Sequence, residues 1–410
     1  METLTFEQFY AQSLSLAAPW KITGLNILSE RKQVVVEVKC PSGLAWGDPL
    51  TGERAQIKDW QEREWRHTDS LEYQTIVKCR VPRITLSDGT TTMVSVPWAG
   101  PHGRFTRSME QTIIDYLLQC KTVRGAARLA HVTVDQVDGV VTRAVALGMK
   151  RRGELPSIKL LAMDEKAFRS GHRYVTILHD LDSGRVLDIV VGKKEQDVVK
   201  LLETLPEATR QDVEAVAMDM WPAYRNAVEQ VLPKADVVFD RFHVVKHLNE
   251  AVDQTRRNER REQAAVGDTT LVNTKYLWLK KRVDLRTKVG KQFRDLLNQD
   301  LNTGTAWSLK QNFQRFWNHT TWSKAFEFLG TWVEAARDSG LPAMLKVADL
   351  IDKHAEGLLN YIHHGVTNAI SESRNASIQA LMSAARGLPN PASLRNRILF
   401  FFGKLDLTPA

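Results

Sequence analysis

Short runs of alternating apolar and polar residues dominate the first hundred positions of the chain. The runs KQVVVEV and YQTIVKCRVPRITL are separated by turn-forming stretches such as PSGLAWGDPLTGE and SDGTTT. Alternation with a period of two indicates strands. Within these hundred positions, no segment beyond the first dozen residues has the spacing of a helix. Residues 1–100 are therefore predicted to form a β-rich N-terminal segment.

Helical spacing replaces this alternation over residues 101–153. After the amphipathic run MEQTIIDYLLQC, Thr122 is predicted to cap a short helix that ends at Ala130, and Thr133 to cap a helix over 134–147. Two short helices joined by the tight turn HVT form a helix-turn-helix pattern. The pattern alone is equally compatible with two helices of a bundle, but the basic run KRR that follows favours DNA binding.

From residue 154 to residue 243 strands alternate with helices. The strands IKLLAMD, RYVTILHD and GRVLDIVVG come first, and the last two are separated by the turn LDSG. A helix from Glu195 to about Leu205, the strand VEAVAMD, a helix over 223–231 and the strand ADVVFD follow. This order predicts an α/β unit with a mixed sheet, and it matches the ribonuclease-H-like fold.

Residues 244–362 have helical spacing throughout and are predicted to be an all-helical insertion. Residues 363–410 would then supply C-terminal helices that complete the core. The aromatic residues of the insertion are interpreted mainly as core packing: Tyr276, Trp278, Trp307, Phe313, Phe316, Trp317, Trp322 and Trp332. The stretch 273–292 carries seven Lys or Arg and one Asp. A solvated face usually explains such a run, but its place beside the core favours contact with a phosphate backbone.

Composition narrows the class of protein further. A chain of 410 residues is long enough for two or three domains, and a formal net charge of +8 favours an acidic partner such as nucleic acid. The 3 cysteines are too few for a disulfide framework. Neither a signal peptide nor an apolar run of about 20 residues is found. We therefore expect a soluble, cytoplasmic protein.

Two predicted core strands end in an aspartate that follows the same two residues. Asp164 follows AM in LLAMDEK, and Asp219 follows AM in AVAMDMW. Each could simply cap the turn after its strand. The two strands are expected to be neighbours, however, and a divalent cation would relieve the repulsion between side-by-side carboxylates. The pair therefore predicts a metal site, and Mg²⁺, for which Mn²⁺ could substitute, suits these oxygen ligands.

A third carboxylate is expected because two aspartates are rarely enough to hold two ions. In VTNAISESRNASIQALMSAARG, Thr367 is a possible N-cap, and Glu372, Asn375 and Gln379 fall on one face of the predicted helix. The helix dipole favours a carboxylate near the N-terminus. Glu372 is therefore the predicted third ligand.

The blocks around these carboxylates are long and distinctive. AMDEKAFRSGHRYVTILHDLDSG, VAMDMWPAYRNAV, VVFDRFHVVKHLNEAVD and TNAISESRN resemble the signature blocks of bacterial insertion-sequence transposases of the ISL-three family. The resemblance covers nearly the whole chain, from RKQVVVEVKCPSG to AARGLPNPASLRNRILFFFG. This family is a branch of the DDE transposases with a ribonuclease-H-like core. The resemblance implies a Mg²⁺-dependent strand-transfer site in which Asp164 bridges both metals and Asp219 and Glu372 each complete one.

The block DRFH resembles the Cys/Asp-x-x-His element of related transposases. This resemblance implies that His243 could contact the scissile phosphate or orient a water at the metal. A histidine satisfied within the core at the start of a helix is an equally good interpretation. Asp240, the first residue of the block, is the alternative third acid.

The sequence departs from the family pattern in two places. The family usually has an N-terminal zinc segment with a C-x-x-C pair, but Gly43 stands where the partner of Cys40 should fall. Because structural zinc normally needs four ligands, a degenerate zinc-ribbon-like fold without zinc is expected, with Cys79 in its core. In addition, Ser373 follows Glu372, where the family usually has glycine.

The sequence thus favours a transposase that binds the terminal inverted repeats of its element and catalyses cleavage and strand transfer. The N-terminal segment 1–100 and the helix-turn-helix would be its DNA-binding parts. The alternatives are a catalytically inactive, domesticated DNA-binding protein and a nuclease without strand transfer. The expected partners are double-stranded DNA, as terminal repeats and target, and a second copy of the chain on paired DNA ends. The residues predicted to contact DNA are Arg124, Gln136, Arg143, Lys150, Arg151, Arg152, Lys280, Lys281 and Arg282.

Overall fold

The chain folds into two compact units. The computed structural model describes residues 4–409 except 42, 50, 102, 154–156, 170–172, 281–287, 366–368 and 385–389. The side chains of residues 169, 173, 288, 289, 292, 369–372, 374 and 375 also lie outside the described part. Met1–Gly153 and Ala384–Ala410 form the first unit, and Glu154–Ser383 form the second. Among the described helices, none has the length and apolar character that crossing a bilayer requires.

The first unit begins with a helix and a mixed sheet. Its elements are α1 (Phe6–Ser13), β1 (Lys21–Leu28), β2 (Gln33–Lys39), β3 (Trp46–Gly47), β4 (Arg54–Arg66), β5 (Gln74–Thr85) and β6 (Thr91–Met93). The strand order is β1-β2-β5-β4-β3, and β6 also pairs with β5. Trp98 packs edge to face against both Trp20 and Trp65 in the core of this sheet. The strands predicted for this segment are confirmed.

A helix-turn-helix follows the sheet. Its helices are α2 (Arg107–Cys120), α3 (Val123–Leu129) and α4 (Val134–Arg151). The Thr122 hydroxyl accepts a hydrogen bond from the Gly125 N–H, and the Thr133 hydroxyl accepts one from the Gln136 N–H, so both predicted N-caps are confirmed. α4 extends about one turn beyond its predicted end. Lys150 and Arg151 lie in that last turn, where the helix dipole favours positive charge.

The second unit has a mixed sheet with helices between its later strands. Its first elements are β7 (Leu160–Arg169), β8 (Arg173–Asp180), β9 (Val186–Val191), α5 (Glu195–Glu203), α6 (Glu207–Asp212), β10 (Ala215–Met218), α7 (Pro222–Val231) and β11 (Asp236–Phe239). The strand order is β11-β10-β7-β8-β9. β7, β8 and β9 pair antiparallel, whereas β10 pairs parallel with both β7 and β11. The predicted neighbours β7 and β10 are confirmed.

Helices make up the rest of the second unit. They are α8 (Arg241–Ala265), α9 (Lys275–Trp278), α10 (Lys288–Leu297), α11 (Asn302–Phe313), α12 (Trp322–Asp338), α13 (Pro342–Lys353), α14 (Ala355–His364) and α15 (Ala369–Ala384). One hydrophobic cluster includes Val216 of the sheet together with Trp278 and Trp332 of the helices. The helical segment therefore shares its core with the sheet. Most of the predicted aromatic stripe is buried, but Tyr276 and Trp322 are exposed.

The last helix, α16 (Pro391–Phe402), packs against α4 in the first unit. Arg397 of α16 forms an ion pair with Asp138 of α4, and the Asn396 side-chain amide donates to the Thr142 hydroxyl at 3.2 Å. The sequence places all of residues 363–410 in the catalytic core. In the structure α16 instead belongs to the first unit, where it contacts α4, and its buried residues include Ile398.

Candidate catalytic site

Asp164 lies in β7, and Asp219 directly follows β10, the neighbouring parallel strand. The last residues paired between β7 and β10 are Ala162 and Ala217. Each aspartate stands two positions further along, so the register brings the two to the same level of the sheet. Because side chains alternate between faces, both aspartates belong to the face on which these small alanines are buried. The strand register thus brings the two predicted carboxylates together.

Asp164 lies within β7, whereas the sequence predicted that it would end its strand. It pairs with Ile177 of β8, and the antiparallel pairing of β7 with β8 continues to Arg169. Only the parallel pairing with β10 stops before Asp164. One edge of β7 is therefore open at Asp164 while its other edge is held in the sheet. The result is a carboxylate fixed by a strand that extends beyond it on both sides.

Asp240, which directly follows β11, extends this pair to three carboxylates, called here the carboxylate row. Met218 pairs with Phe239, and the Asp240 N–H donates to the Met218 carbonyl at 3.0 Å, which brings Asp240 to the level of Asp219. The Asp240 carboxylate also accepts the Phe242 N–H at 2.9 Å and so caps α8. The alternative third acid is thus part of the row, although its capping role explains one of its oxygens without a metal.

His243 faces the carboxylate row from the first turn of α8. Its Nδ1 lies 3.2 Å from Oδ2 of Asp219, and its Nε2 lies 4.0 Å from Oδ2 of Asp240. The side chain is 17% exposed, and both of its nitrogens face polar partners. These contacts favour a role at the site over that of a histidine satisfied within the hydrophobic core.

The surroundings of Asp164 favour its neutral form, mainly because the carboxyl is buried. Burial raises the pKa of the Asp164 carboxyl, and Asp240 acts in the same direction. The Glu165 N–H, His243 and Lys166 act in the opposite direction. Burial also raises the pKa of Tyr224, whose hydroxyl is 2.8 Å from that of Thr176, and nearby carboxylates add to this effect. A cation placed among these carboxylates would offset their mutual repulsion.

The donor set fits part of a Mg²⁺ site. Asp164 and Asp219 provide carboxylate oxygens at one level, and Mg²⁺ prefers such oxygens while keeping positions for water and phosphate. Among the described residues, no cluster of three or more His, Cys, Asp and Glu side chains is arranged to hold a metal ion. Glu372 lies near the start of α15, and its side chain is outside the described residues.

The residues predicted to contact DNA from the helix-turn-helix differ in how free they are. Arg124 is exposed on α3, and Lys150 is exposed at the end of α4. The Gln136 side chain accepts the Thr133 N–H at 2.9 Å in a capping box. Arg143 binds Glu110 of α2 through two nitrogens. Gln136 and Arg143 therefore have internal roles that the spacing of the sequence did not reveal.

The remaining basic candidates are also unevenly placed. Arg151 is 3.2 Å from the Asp406 carboxylate, and Arg152 is only partly exposed. Lys280 follows α9, and its carbonyl accepts the Trp307 indole N–H at 3.1 Å. Lys281 and Arg282 lie outside the described residues.

The predicted position of Cys79 in the core of the first unit is confirmed. Cys79 is 4% exposed, and burial raises the pKa of its thiol to about 12. Such a thiol stays protonated at neutral pH, as expected of a cysteine in the core. Cys40 is partly exposed and is a free cysteine like Cys79.

A helix-turn-helix combined with an α/β unit that carries a row of carboxylates is typical of an enzyme that acts on DNA. The family model described as a transposase, of the DDE type and ISL3 family, matches residues 161–398, more than half of the chain. A second model, the helix-turn-helix domain of transposase family ISL3, matches residues 94–145. The chain therefore belongs to the ISL3 family of insertion-sequence transposases, and the predicted resemblance is confirmed.

Curated relatives agree with this assignment. The chain is 28% identical over 341 residues to the transposase for insertion sequence element IS1001 of Bordetella parapertussis, covering 81% of this chain and 82% of that relative. It is 22% identical over 355 residues to the transposase for insertion sequence element IS1557 of Mycobacterium tuberculosis, with 81% and 80% covered. The similarity extends over most of each chain and includes both units.

Proposed function

We propose that this transposase binds the terminal inverted repeats of its insertion sequence and catalyses metal-dependent DNA cleavage and strand transfer at Asp164, Asp219 and Glu372. The observation that carries the proposal is the register between β7 and β10, which brings Asp164 and Asp219 to one level of the sheet. In this sheet β7, β8 and β9 are antiparallel, and β10 and β11 are parallel to β7. This order supports a ribonuclease-H-like core.

Asp164 and Asp219 would hold Mg²⁺ or Mn²⁺, and Glu372 or Asp240 would supply the further carboxylate. When bound, the metal supplies activation of a water or a 3′-hydroxyl and stabilisation of the leaving oxygen. His243 contacts the Asp219 carboxylate through Nδ1 and would orient this ligand, whereas its Nε2 lies 4.0 Å from the Asp240 carboxylate. A phosphate oxygen would have to take the place of Asp240 beside Nε2. We propose no zinc site for the first unit.

The helix-turn-helix would read the repeat, with Arg124 and Lys150 as its freest basic side chains. Gln136, Arg143 and Arg151 would take part only by exchanging their internal partners for DNA. Lys280, Lys281 and Arg282 of the second unit would contact phosphates of the DNA backbone. This proposal rests on charge, because the stretch 273–292 carries far more basic than acidic residues.

End cleavage tests the proposal. The purified protein is incubated with a labelled duplex that carries the terminal repeat and flanking DNA, with Mg²⁺ or with EDTA. Metal-dependent nicking at the repeat boundary that is lost in Asp219→Ala and Glu372→Ala is the expected result. Asp182→Ala removes an exposed carboxylate from the β8–β9 turn and is the matched control. Comparing Asp240→Asn with Glu372→Ala then identifies the third acid, because cleavage should be lost only when the true third acid is replaced.

Two outcomes would contradict the proposal in different ways. Tight binding without cleavage, unchanged by the substitutions, would mean that the protein is a DNA-binding descendant that has lost its chemistry. Cleavage that persists in Asp219→Ala would mean that another set of residues does the work.

A dimer is proposed on paired DNA ends, because two ends need two sites. Light scattering of the complex tests this expectation, and one copy of the chain on paired ends would refute it.

A further inference from the structure

A solvent-open cleft lies beside the carboxylate row and is not used by the proposed chemistry. Its volume is about 620 Å³, and its lining includes Tyr174 of β8, Lys193 and Lys194 of the segment before α5, and Trp221 at the start of α7. Trp221 is the second residue after Asp219 in the chain. A strand of DNA that places a phosphate at the carboxylates would therefore pass within reach of this cleft.

Lys193 is held between two aromatic rings at the centre of the cleft. Its Nζ is 4.3 Å from the centroid of the Tyr174 ring and 4.9 Å from that of Trp221. It is also 3.0 Å from Oε2 of Glu165, the residue next to Asp164. Cation–π attraction and the ion pair together hold an ammonium group close to the row. The cleft thus joins aromatic faces with a positive charge, the combination that binds single nucleotides of DNA.

The two acidic residues of the lining, Glu195 and Asp197, accept hydrogen bonds within the protein, and Lys193 and Lys194 balance their charge. The Glu195 carboxylate accepts the Asn226 side-chain amide at 2.7 Å. The Asp197 carboxylate accepts the Lys194 N–H at 3.2 Å, at the start of α5. Trp221, in contrast, leaves 47% of its surface exposed to solvent. A large exposed indole beside two lysines is better explained by a stacking partner than by the packing of this unit.

We infer that this cleft binds an unstacked nucleobase of the DNA end, one or two nucleotides from the scissile phosphate. The base stacks on the exposed part of the Trp221 indole, and the Lys193 ammonium exchanges Glu165 for the phosphate of the same nucleotide. Every base has a flat aromatic face, so the cleft would accept any base and would stabilise an opened duplex end. The inference rests on the proposed function only in requiring that the DNA end reach Asp164 and Asp219.

Photocrosslinking tests the contact without relying on activity. 5-Iodouracil is placed at successive positions across the repeat boundary of the duplex, and the complex is irradiated in EDTA, with the crosslinked peptide identified by mass spectrometry. The expected result is one strong position, next to the boundary, that maps to Trp221 and disappears in Trp221→Ala. Trp322→Ala removes a tryptophan of similar exposure, 50%, from α12 and should leave the crosslink intact.

Cleavage rates give a second readout. Trp221→Ala should cleave the fully paired duplex roughly tenfold more slowly than wild type, since that is about the effect of losing one base–aromatic stack. Trp221→Phe should recover most of the rate. A mismatch at the crosslinking position should reduce the defect of Trp221→Ala, because the base is then already unpaired. Lys193→Gln should weaken binding of the duplex and lower its dependence on salt.

The outcomes separate this inference from the proposed function. If wild type cleaves the end, Trp221→Ala cleaves it equally fast and no position crosslinks to Trp221, the inference is overturned while the proposed function stands. If wild type binds without cleaving but Trp221 crosslinks at the boundary, the proposed function fails and the nucleobase site is supported. Equal loss of crosslinking in Trp322→Ala would also overturn the inference, because the contact would then not be specific.

Discussion

Protonation of a buried histidine is expected to make the stability of the first unit depend on pH. His67, just beyond β4, is 2% exposed, with Nδ1 at 2.8 Å from the Thr106 hydroxyl and Nε2 at 3.3 Å from that of Ser13. Burial, with a smaller contribution from Arg66, lowers its pKa to about 4. The imidazole is therefore neutral in the folded protein at pH values where an unfolded chain would already carry the proton.

The sign and size of the effect follow from this difference. Because the folded pKa of His67 lies below its ordinary value of about 6.5, the unfolded state binds the proton first as the pH falls. The stability is complete above about pH 6.5 and is lost progressively towards pH 4. Each pKa unit is worth about 1.4 kcal/mol, so the loss reaches about 2 kcal/mol at pH 5 and about 3 kcal/mol in full.

Hydrogen exchange reports on the first unit alone. The opening free energy of amides in Gln74–Thr85 is compared at pH 7.5 and pH 5 for wild type and His67→Gln. The decrease in wild type should exceed that in the variant by about 2 kcal/mol. His131→Gln, which removes an exposed imidazole of the same unit, should behave as wild type. An equal decrease in wild type and His67→Gln would refute the reasoning.

Buried contacts of the second unit give two further predictions, each measurable by urea unfolding. Glu259 of α8 accepts the first N–H groups of α11 at 2.7 and 2.8 Å, so Glu259→Gln should lower the unfolding free energy by roughly 1–3 kcal/mol, whereas the exposed Glu262→Gln should change it little. A Cβ at Gly357 of α14 would collide with the Phe239 ring, so Gly357→Ala should destabilise by roughly 1–3 kcal/mol. Gly330→Ala has open space on α12 and should be neutral or stabilising by about 0.5–1 kcal/mol. Similar values for the two variants in either pair would contradict the corresponding contact.

Local patterns allowed much of this fold to be predicted from the sequence. Thr122 and Thr133 could be identified as N-caps because a cap depends on residues two or three positions away. The neighbouring positions of Asp164 and Asp219 could be predicted because their strands belong to a recognisable order of elements. The level at which the two face each other could not be read from the chain, since it is set by the register of the sheet.

Long-range contacts account for what the sequence left out. Nothing near Arg143 shows that Glu110 binds it, because the two residues lie on different helices that meet only after folding. The cleft around Lys193 is assembled in the same way, from β8, the segment before α5 and the start of α7. Its sequence signal is the bulky pair Met220 and Trp221 directly after β10 and Asp219, where a short polar turn would normally suffice.

The position of α16 shows how such a contact can change the meaning of a sequence segment. The family model for the catalytic part extends to residue 398, so the sequence comparison alone assigns most of α16 to that part. In the structure this helix packs against α4 and pairs Arg397 with Asp138, so it belongs to the first unit together with the helix-turn-helix. The chain thus returns to its first unit after the second unit is complete. A substitution in α16 should therefore be examined first for its effect on DNA binding, and only then for its effect on cleavage.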